Sequence, residues 1–147
     1  MASPAGRYPA PVLAAAILAA EGASFVLVGS AALWLHGEHV TVADADAVVE
    51  PGEPGLLRRS EALAELALRP QEIPRARALA RLSVLGVTTA YGRVDCLLER
   101  GRLGWERLRR SAARIPVADA SLLVASRADT WALRRQFAVT ADPGSGR

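Results

Sequence analysis

The chain contains no lysine; all 18 of its basic residues are arginine. Any phosphate contact must therefore come from guanidinium or backbone groups, and a lysine nucleophile is excluded. Alanine, glycine, proline and arginine are all abundant, the composition expected of a GC-rich genome. A single cysteine, Cys96, excludes an internal disulfide framework and fits a reducing cytoplasm. Aromatic residues make up only 5% of the chain. No apolar run reaches the roughly 18–20 residues that a membrane-crossing helix needs, so no membrane association is expected. Val12–Ala20 is apolar but short, and reads as a helix packed on a sheet rather than as a leader. Disorder is excluded by a hydrophobic fraction of 51%. A formal charge of +3 says little by itself about nucleic acid. A chain of 147 residues is expected to form one domain with a real core, with residues 1–9 and 140–147 flexible.

What is present divides into short, alternating segments. Pro11–Ala20 reads as a helix, with proline near its first turn and Gly22 beyond its end. Phe25–Val28 is a fully apolar, buried strand, Ser30–His36 a short helix and Gly37–Ala43 a loop. Asp44–Glu50 is a second strand, closed by the turn at Pro51–Gly55. Leu56–Leu68 is an amphipathic helix with Leu56, Leu63, Leu66 and Ala67 on one side. Leu82–Tyr91 is β-rich with a bulge at Gly86, Tyr91–Arg93 turns, and Val94–Leu98 returns. Trp105–Ala113 is a helix with Arg107, Arg109 and Arg110 outward; Ile115–Val117 and Ser121–Val124 form a small hairpin. Ser126 caps the last helix, with Asp129 in the capping-box position. The order predicts an α+β domain, a mixed sheet with helices mainly on one side.

Three carboxylates carry the chemistry. In a strand, side chains alternate faces, so Asp44 and Asp46 point the same way, about 6–7 Å apart. Two such carboxylates repel unless they bind something, and hard divalent cations take oxygen ligands. Asp95 sits inside the apolar run Val94–Leu98, where an aspartate needs compensation. A hairpin pairing would bring it beside Asp44 and Asp46. Three converging carboxylates form a two-metal site, with Asp44 and Asp46 bridging and Asp95 near an attacking hydroxyl. Gly29-Ser30, at a strand-to-helix turn, offers backbone N–H groups and a helix dipole to a phosphate.

Gly29-Ser30, a spacer of thirteen residues, Asp44-x-Asp46 and the distal Asp95 resemble the nucleotidyltransferase fold of the DNA polymerase β superfamily. Within it, Gly92–Leu97, Gly104–Leu108 and Val124–Asp129 look like segments of small bacterial AbiEii-type and minimal nucleotidyltransferases. The resemblance implies Mg²⁺-dependent transfer of a nucleoside monophosphate from an NTP to an acceptor hydroxyl on RNA, tRNA or protein. It also implies a toxin-like role with an antitoxin partner. Two magnesium ions would sit on Asp44, Asp46 and Asp95, with Gly29 and Ser30 holding the β- and γ-phosphates.

Arg134 takes the place of that family's helical lysine, and with Arg135 is the best basic candidate for the triphosphate. His39 is a candidate nucleotide contact. Val40 and Val42 stand where the family carries Arg and Thr, and Val139–Asp142 where it carries a basic cluster. Two other readings follow from those departures: a non-catalytic nucleotide- or partner-binding module, and a transferase acting on a small antibiotic. His36 reads as helix surface, Cys96 as core on the face opposite Asp95, and Trp34, Trp105 and Trp131 as packing residues.

Overall fold

The computed structural model describes residues 7–51, 67, 84–97 and 104–140. Their strands join in one sheet of mixed direction. In chain order they are β1 (Phe25–Val28), β2 (Asp44–Val49), β3 (Val84–Thr89), β4 (Gly92–Leu97), β5 (Ala113–Val117) and β6 (Ala120–Val124). Across the sheet the order is β3-β4-β2-β1-β6-β5. The helices are α1 (Ala10–Ala20), α2 (Gly29–Leu35), α3 (Trp105–Ser111) and α4 (Arg127–Thr140). The α+β class read from the sequence is the observed one.

Strand alternation sorts the core into two faces. Phe25 and Leu27 of β1, Ala45, Ala47 and Val49 of β2, and Val94 and Cys96 of β4 bury one face. They do so against Val12, Ala15 and Leu18 of α1, and Ala31 and Ala32 of α2 join the same cluster. Val26, Val28 and Val48 point the other way and meet Leu108 of α3 and Leu133 of α4. Helices therefore cover both faces. α1 covers the larger core, while α3 and α4 close a smaller one that the sequence pattern of one-sided packing does not include. The carboxylates share that second face.

β4 forms its hairpin with β3, not with the strand that carries Asp44 and Asp46; its pairing with β2 is parallel. The expected bulge at Gly86 is absent, because β3 and β4 keep continuous register from Val84↔Leu97 to Thr89↔Gly92. The turn between them is Ala90-Tyr91, one residue earlier than the sequence suggests, with Thr89 Oγ1 donating to Gly92 O and accepting from Tyr91 N–H. The helix predicted over Leu56–Leu68 lies outside the described residues except at Ala67. That residue makes an isolated antiparallel bridge to Thr89 rather than facing a helix side.

α4 is held at its start by two clasps. Ser126 Oγ accepts the Asp129 N–H at 3.1 Å, the N-cap bond expected from sequence. The Asp129 carboxylate does not turn back to complete a capping box. It is buried and accepts from Ser111 Oγ at 2.7 Å, with Arg107 Nη2 at 3.7 Å, tying α4 to α3. Removing it leaves a part-buried hydroxyl without its acceptor and takes a negative charge from the helix N-terminus. Asp129→Ala is expected to cost about 2 kcal/mol, and Ser126→Ala about 1 kcal/mol. Denaturant melts of the two variants measure both, and equal costs would mean that the carboxylate acts only locally.

The second clasp joins α4 to α2. His36 is not helix surface: its Nε2 donates to Ala125 O at 2.8 Å. The Arg127 guanidinium donates to His36 O at 2.8 Å and pairs with Glu38 at 3.3 Å. α4 leaves this point alongside α2, and at 1.5 Å per residue Arg134 lies about 10 Å further on. That is about the length of α2, so Arg134 arrives at the end of α2 where Gly29 and Ser30 stand.

Candidate active site

The site grows from the alternation of two strands in register. Ala45 and Ala47 of β2 face the larger core, so Asp44 and Asp46 must face the other side. In the parallel pairing Asp46 stands opposite Asp95, and Asp44 opposite Arg93. Val94 and Cys96 point into the larger core, which leaves Arg93 and Asp95 on the carboxylate face. One oxygen from each of Asp44, Asp46 and Asp95 lies within 4.8 Å of the others, and all three residues are half-buried. The structure thus brings together the three aspartates singled out in the sequence.

Half-burial and mutual repulsion shape their protonation. Asp44 is raised above the usual carboxylate value by burial first, then by the charge of Asp95 and a hydrogen bond shared with it; Arg93 opposes the rise. Asp46 is pushed up to about 7, again mainly by burial, then by Asp44 and Asp95, with Arg134 pulling it back. With Asp44 and Asp46 both held back from ionising, this face is short of positive charge. Hard oxygen donors, close spacing and unmet negative charge together fit a divalent cation.

Gly29 explains its own place in the motif. Its φ is +70°, and a side-chain carbon added there would collide with the Asp46 carboxyl, 3.3 Å from its carbon. The strand-to-helix turn and the carboxylate therefore share one tight space. Ser30 follows as the second residue of α2, half-buried.

Two arginines flank the aspartates. Arg134 is near enough for its charge to lower Asp46, and its guanidinium also lies 5.6 Å from the Trp131 ring centroid. Arg135 is exposed on the same helix. Arg93 is the residue that sequence reasoning overlooked. Its Nε donates to Asp95 Oδ1 at 2.8 Å across the surface of β4. Gly86, opposite Asp95 in β3, makes room: a side-chain carbon there would lie 2.6 Å from the Arg93 guanidinium carbon. The available signal was the Arg-x-Asp spacing, which in a strand puts both groups on one face. His39 is not drawn in. It stays exposed on the loop before β2 and makes no hydrogen bond to the aspartates among the described residues.

The whole fold was compared with solved structures. It is similar to the crystal structure of a "putative nucleotidyltransferase" from Thermotoga maritima, with a TM-score of 0.60. The match covers 90% of this chain and 85% of that one, at 15% sequence identity. The fold is nucleotidyltransferase-like. No family model matches the chain, and no curated protein matches it in sequence. Similarity at that level of identity concerns the fold, so the case for chemistry rests on the carboxylates themselves.

Among the described residues, no helix is long and apolar enough to cross a membrane. Cys96 is buried on the face opposite Asp95, as its position in the strand predicts. Trp34 packs edge-on against Tyr8 with ring centroids 6.1 Å apart, and Trp105 is half-buried with Arg109 5.4 Å from its ring centroid. Trp131, by contrast, is exposed.

Proposed function

We propose that the chain is a Mg²⁺-dependent nucleotidyltransferase that moves a nucleoside monophosphate from an NTP to an acceptor hydroxyl and releases pyrophosphate. The observation that carries this reading is the meeting of Asp44, Asp46 and Asp95 beside the Gly29-Ser30 turn, with Arg134 across from Asp46. Asp44, Asp46 and Asp95 would hold magnesium, two ions in this reading. When bound, the metal supplies charge neutralisation at the reacting phosphate and lowers the pKa of the acceptor hydroxyl.

The chain's own groups do the rest. The Gly29-Ser30 turn and Arg134 hold and orient the β- and γ-phosphates, by N–H donation and a guanidinium fork respectively. Asp95, fixed by Arg93, faces the acceptor side of the cluster. His39, on the exposed loop, is a peripheral nucleotide contact.

The acceptor in this proposal is RNA, tRNA in particular, or a protein. The exposed arginines 107, 109 and 110 of α3 favour a polyanionic acceptor. The resemblance of Gly92–Leu97, Gly104–Leu108 and Val124–Asp129 to AbiEii-type proteins supports a toxin-like role in the cytoplasm, restrained by an antitoxin. Incubation with α-labelled NTPs, Mg²⁺ and either total RNA or lysate is expected to label one macromolecular band. No transfer to any acceptor with any of the four NTPs would contradict the proposal.

A non-catalytic nucleotide-binding module is the second reading, favoured by one observation: Asp95 is already paired with Arg93. Calorimetry with an NTP, paired with a pyrophosphate assay in the presence of total RNA or lysate as acceptor, separates the two. Binding with pyrophosphate release supports the enzyme, and binding without release supports the module.

A further inference from the structure

Among the described residues, two aromatic rings are left outside the core. The large hydrophobic side chains that stand exposed are Tyr91, at 43%, and Trp131, at 38%. Tyr91 sits in the two-residue turn between β3 and β4. Trp131 is on α4, whose residues Asp129, Thr130 and Leu133 are buried. Positions three apart are neighbours on a helix surface, so Trp131 and Arg134 share the open side. The Arg134 guanidinium lies 5.6 Å from the indole centroid, within cation–π range, yet more than a third of the residue remains accessible. α4 packs on α2, whose first residue, Gly29, stands against the Asp46 carboxyl. A guanidinium fork and a flat apolar ring are thus neighbours on the helix that packs beside the Gly29 turn.

We propose that Trp131 is a stacking platform for the base of the bound nucleoside triphosphate, with Arg134 lying over the ring until the polyphosphate draws it away. The proposal rests on the transferase reading above. A charge-assisted, bidentate guanidinium–phosphate bond is stronger than an exposed cation–π contact, so Arg134 moves to the phosphates when they are present. The vacated indole face then takes the base, which covers apolar surface otherwise left in water. A nucleotide is one ligand that carries both a polyanion and a flat ring, and so satisfies both residues together. Every base has a π-face, so the platform fixes the nucleotide without choosing among bases. The base of an RNA acceptor is the competing occupant. The contact of the ring with Arg134, the candidate polyphosphate ligand, favours the triphosphate.

The test measures binding by calorimetry on the full chain with Mg²⁺, using ATP, inorganic tripolyphosphate and a short RNA oligonucleotide. The wild-type protein is expected to bind ATP more tightly than tripolyphosphate, and ATP to quench its tryptophan emission. Trp131→Ala should weaken ATP by about tenfold and leave tripolyphosphate within about twofold. Trp131→Phe should keep most of the ATP affinity and lose most of the quenching. An unchanged ratio of ATP to tripolyphosphate affinity in Trp131→Ala overturns the proposal, as does an equal loss for both probes. A loss confined to the oligonucleotide assigns the ring to the acceptor and also overturns it. If wild-type protein binds neither ATP nor tripolyphosphate, the transferase reading fails and this proposal with it.

Discussion

Asp46→Asn is expected to lower nucleotidyl transfer by on the order of a thousandfold, while making the metal-free protein more stable at pH 8. The two effects have one origin. Asp46 sits at the centre of the cluster, opposite Asp95 and two residues from Asp44, and burial with two like charges pushes it up to about 7. An unfolded aspartate titrates near 3.8, so between these values the folded state holds more protons than the unfolded one. Stability therefore falls as pH rises through this window: the contribution is complete below about 4 and gone above about 7.

The gap between 3.8 and about 7 corresponds to roughly 4 kcal/mol. Asparagine carries no charge to penalise. Melts in EDTA should show variant and wild type nearly equal at pH 5, with the variant ahead by several degrees at pH 8. Mg²⁺ should reverse the order at pH 8, because only the wild type keeps all three carboxylates to bind it. A variant that tracks the wild type across pH in EDTA would show that Asp46 is not strained by its neighbours.

Gly29→Ala is the second large effect. The residue has φ of +70°, which costs an alanine about 1 kcal/mol, and its added carbon collides with the Asp46 carboxyl. Asp46 must move or the turn must open, and either displaces a group the chemistry requires. The expected cost is about 3 kcal/mol in stability together with near-complete loss of transfer. Gly37→Ala supplies the control. Gly37 also has a positive φ, +93°, but an added carbon there meets nothing within 4 Å. It should lose about 1 kcal/mol and keep its activity. Equal behaviour of the two variants in melts and in transfer would remove the close approach from the account.

Much of this site was legible because it follows from periods of two. Asp44-x-Asp46 declares a shared face without knowledge of any partner strand, and a lone Asp95 in an apolar run declares a charge that needs company. The same rule holds for Arg93-x-Asp95, but an arginine in a strand is common enough on a solvated edge to pass unnoticed. The pairing of β2 with β4 could not be read locally. Ala47 and Cys96 stand opposite each other in that pairing and are buried on the same side, a match that appears only once the two strands are adjacent. Gly86 suggested a bulge because glycine weakens a strand; what it provides is space for the Arg93 guanidinium.

The layout of α4 was half legible. The Ser126 cap is a local bond, whereas the capture of Asp129 by Ser111 and the exposure of Trp131 depend on how α3 and α4 pack. Helices on both sides of the sheet escaped the sequence reading for a similar reason. Val26 and Val28 announce a second buried face, but one fully apolar strand does not say what covers it.

The central claim is that Asp44, Asp46 and Asp95 form one cation site. Titration of Mn²⁺, a spectroscopic stand-in for Mg²⁺, measures this directly through the electron paramagnetic resonance of the free ion. At pH 7.5 the wild-type protein alone should remove free Mn²⁺ from solution. Asp46→Asn and Asp95→Asn should each bind at least about tenfold more weakly while remaining folded. A free-ion signal left undiminished by the wild-type protein without ATP, or binding by both variants as tight as that of the wild type, would contradict the claim.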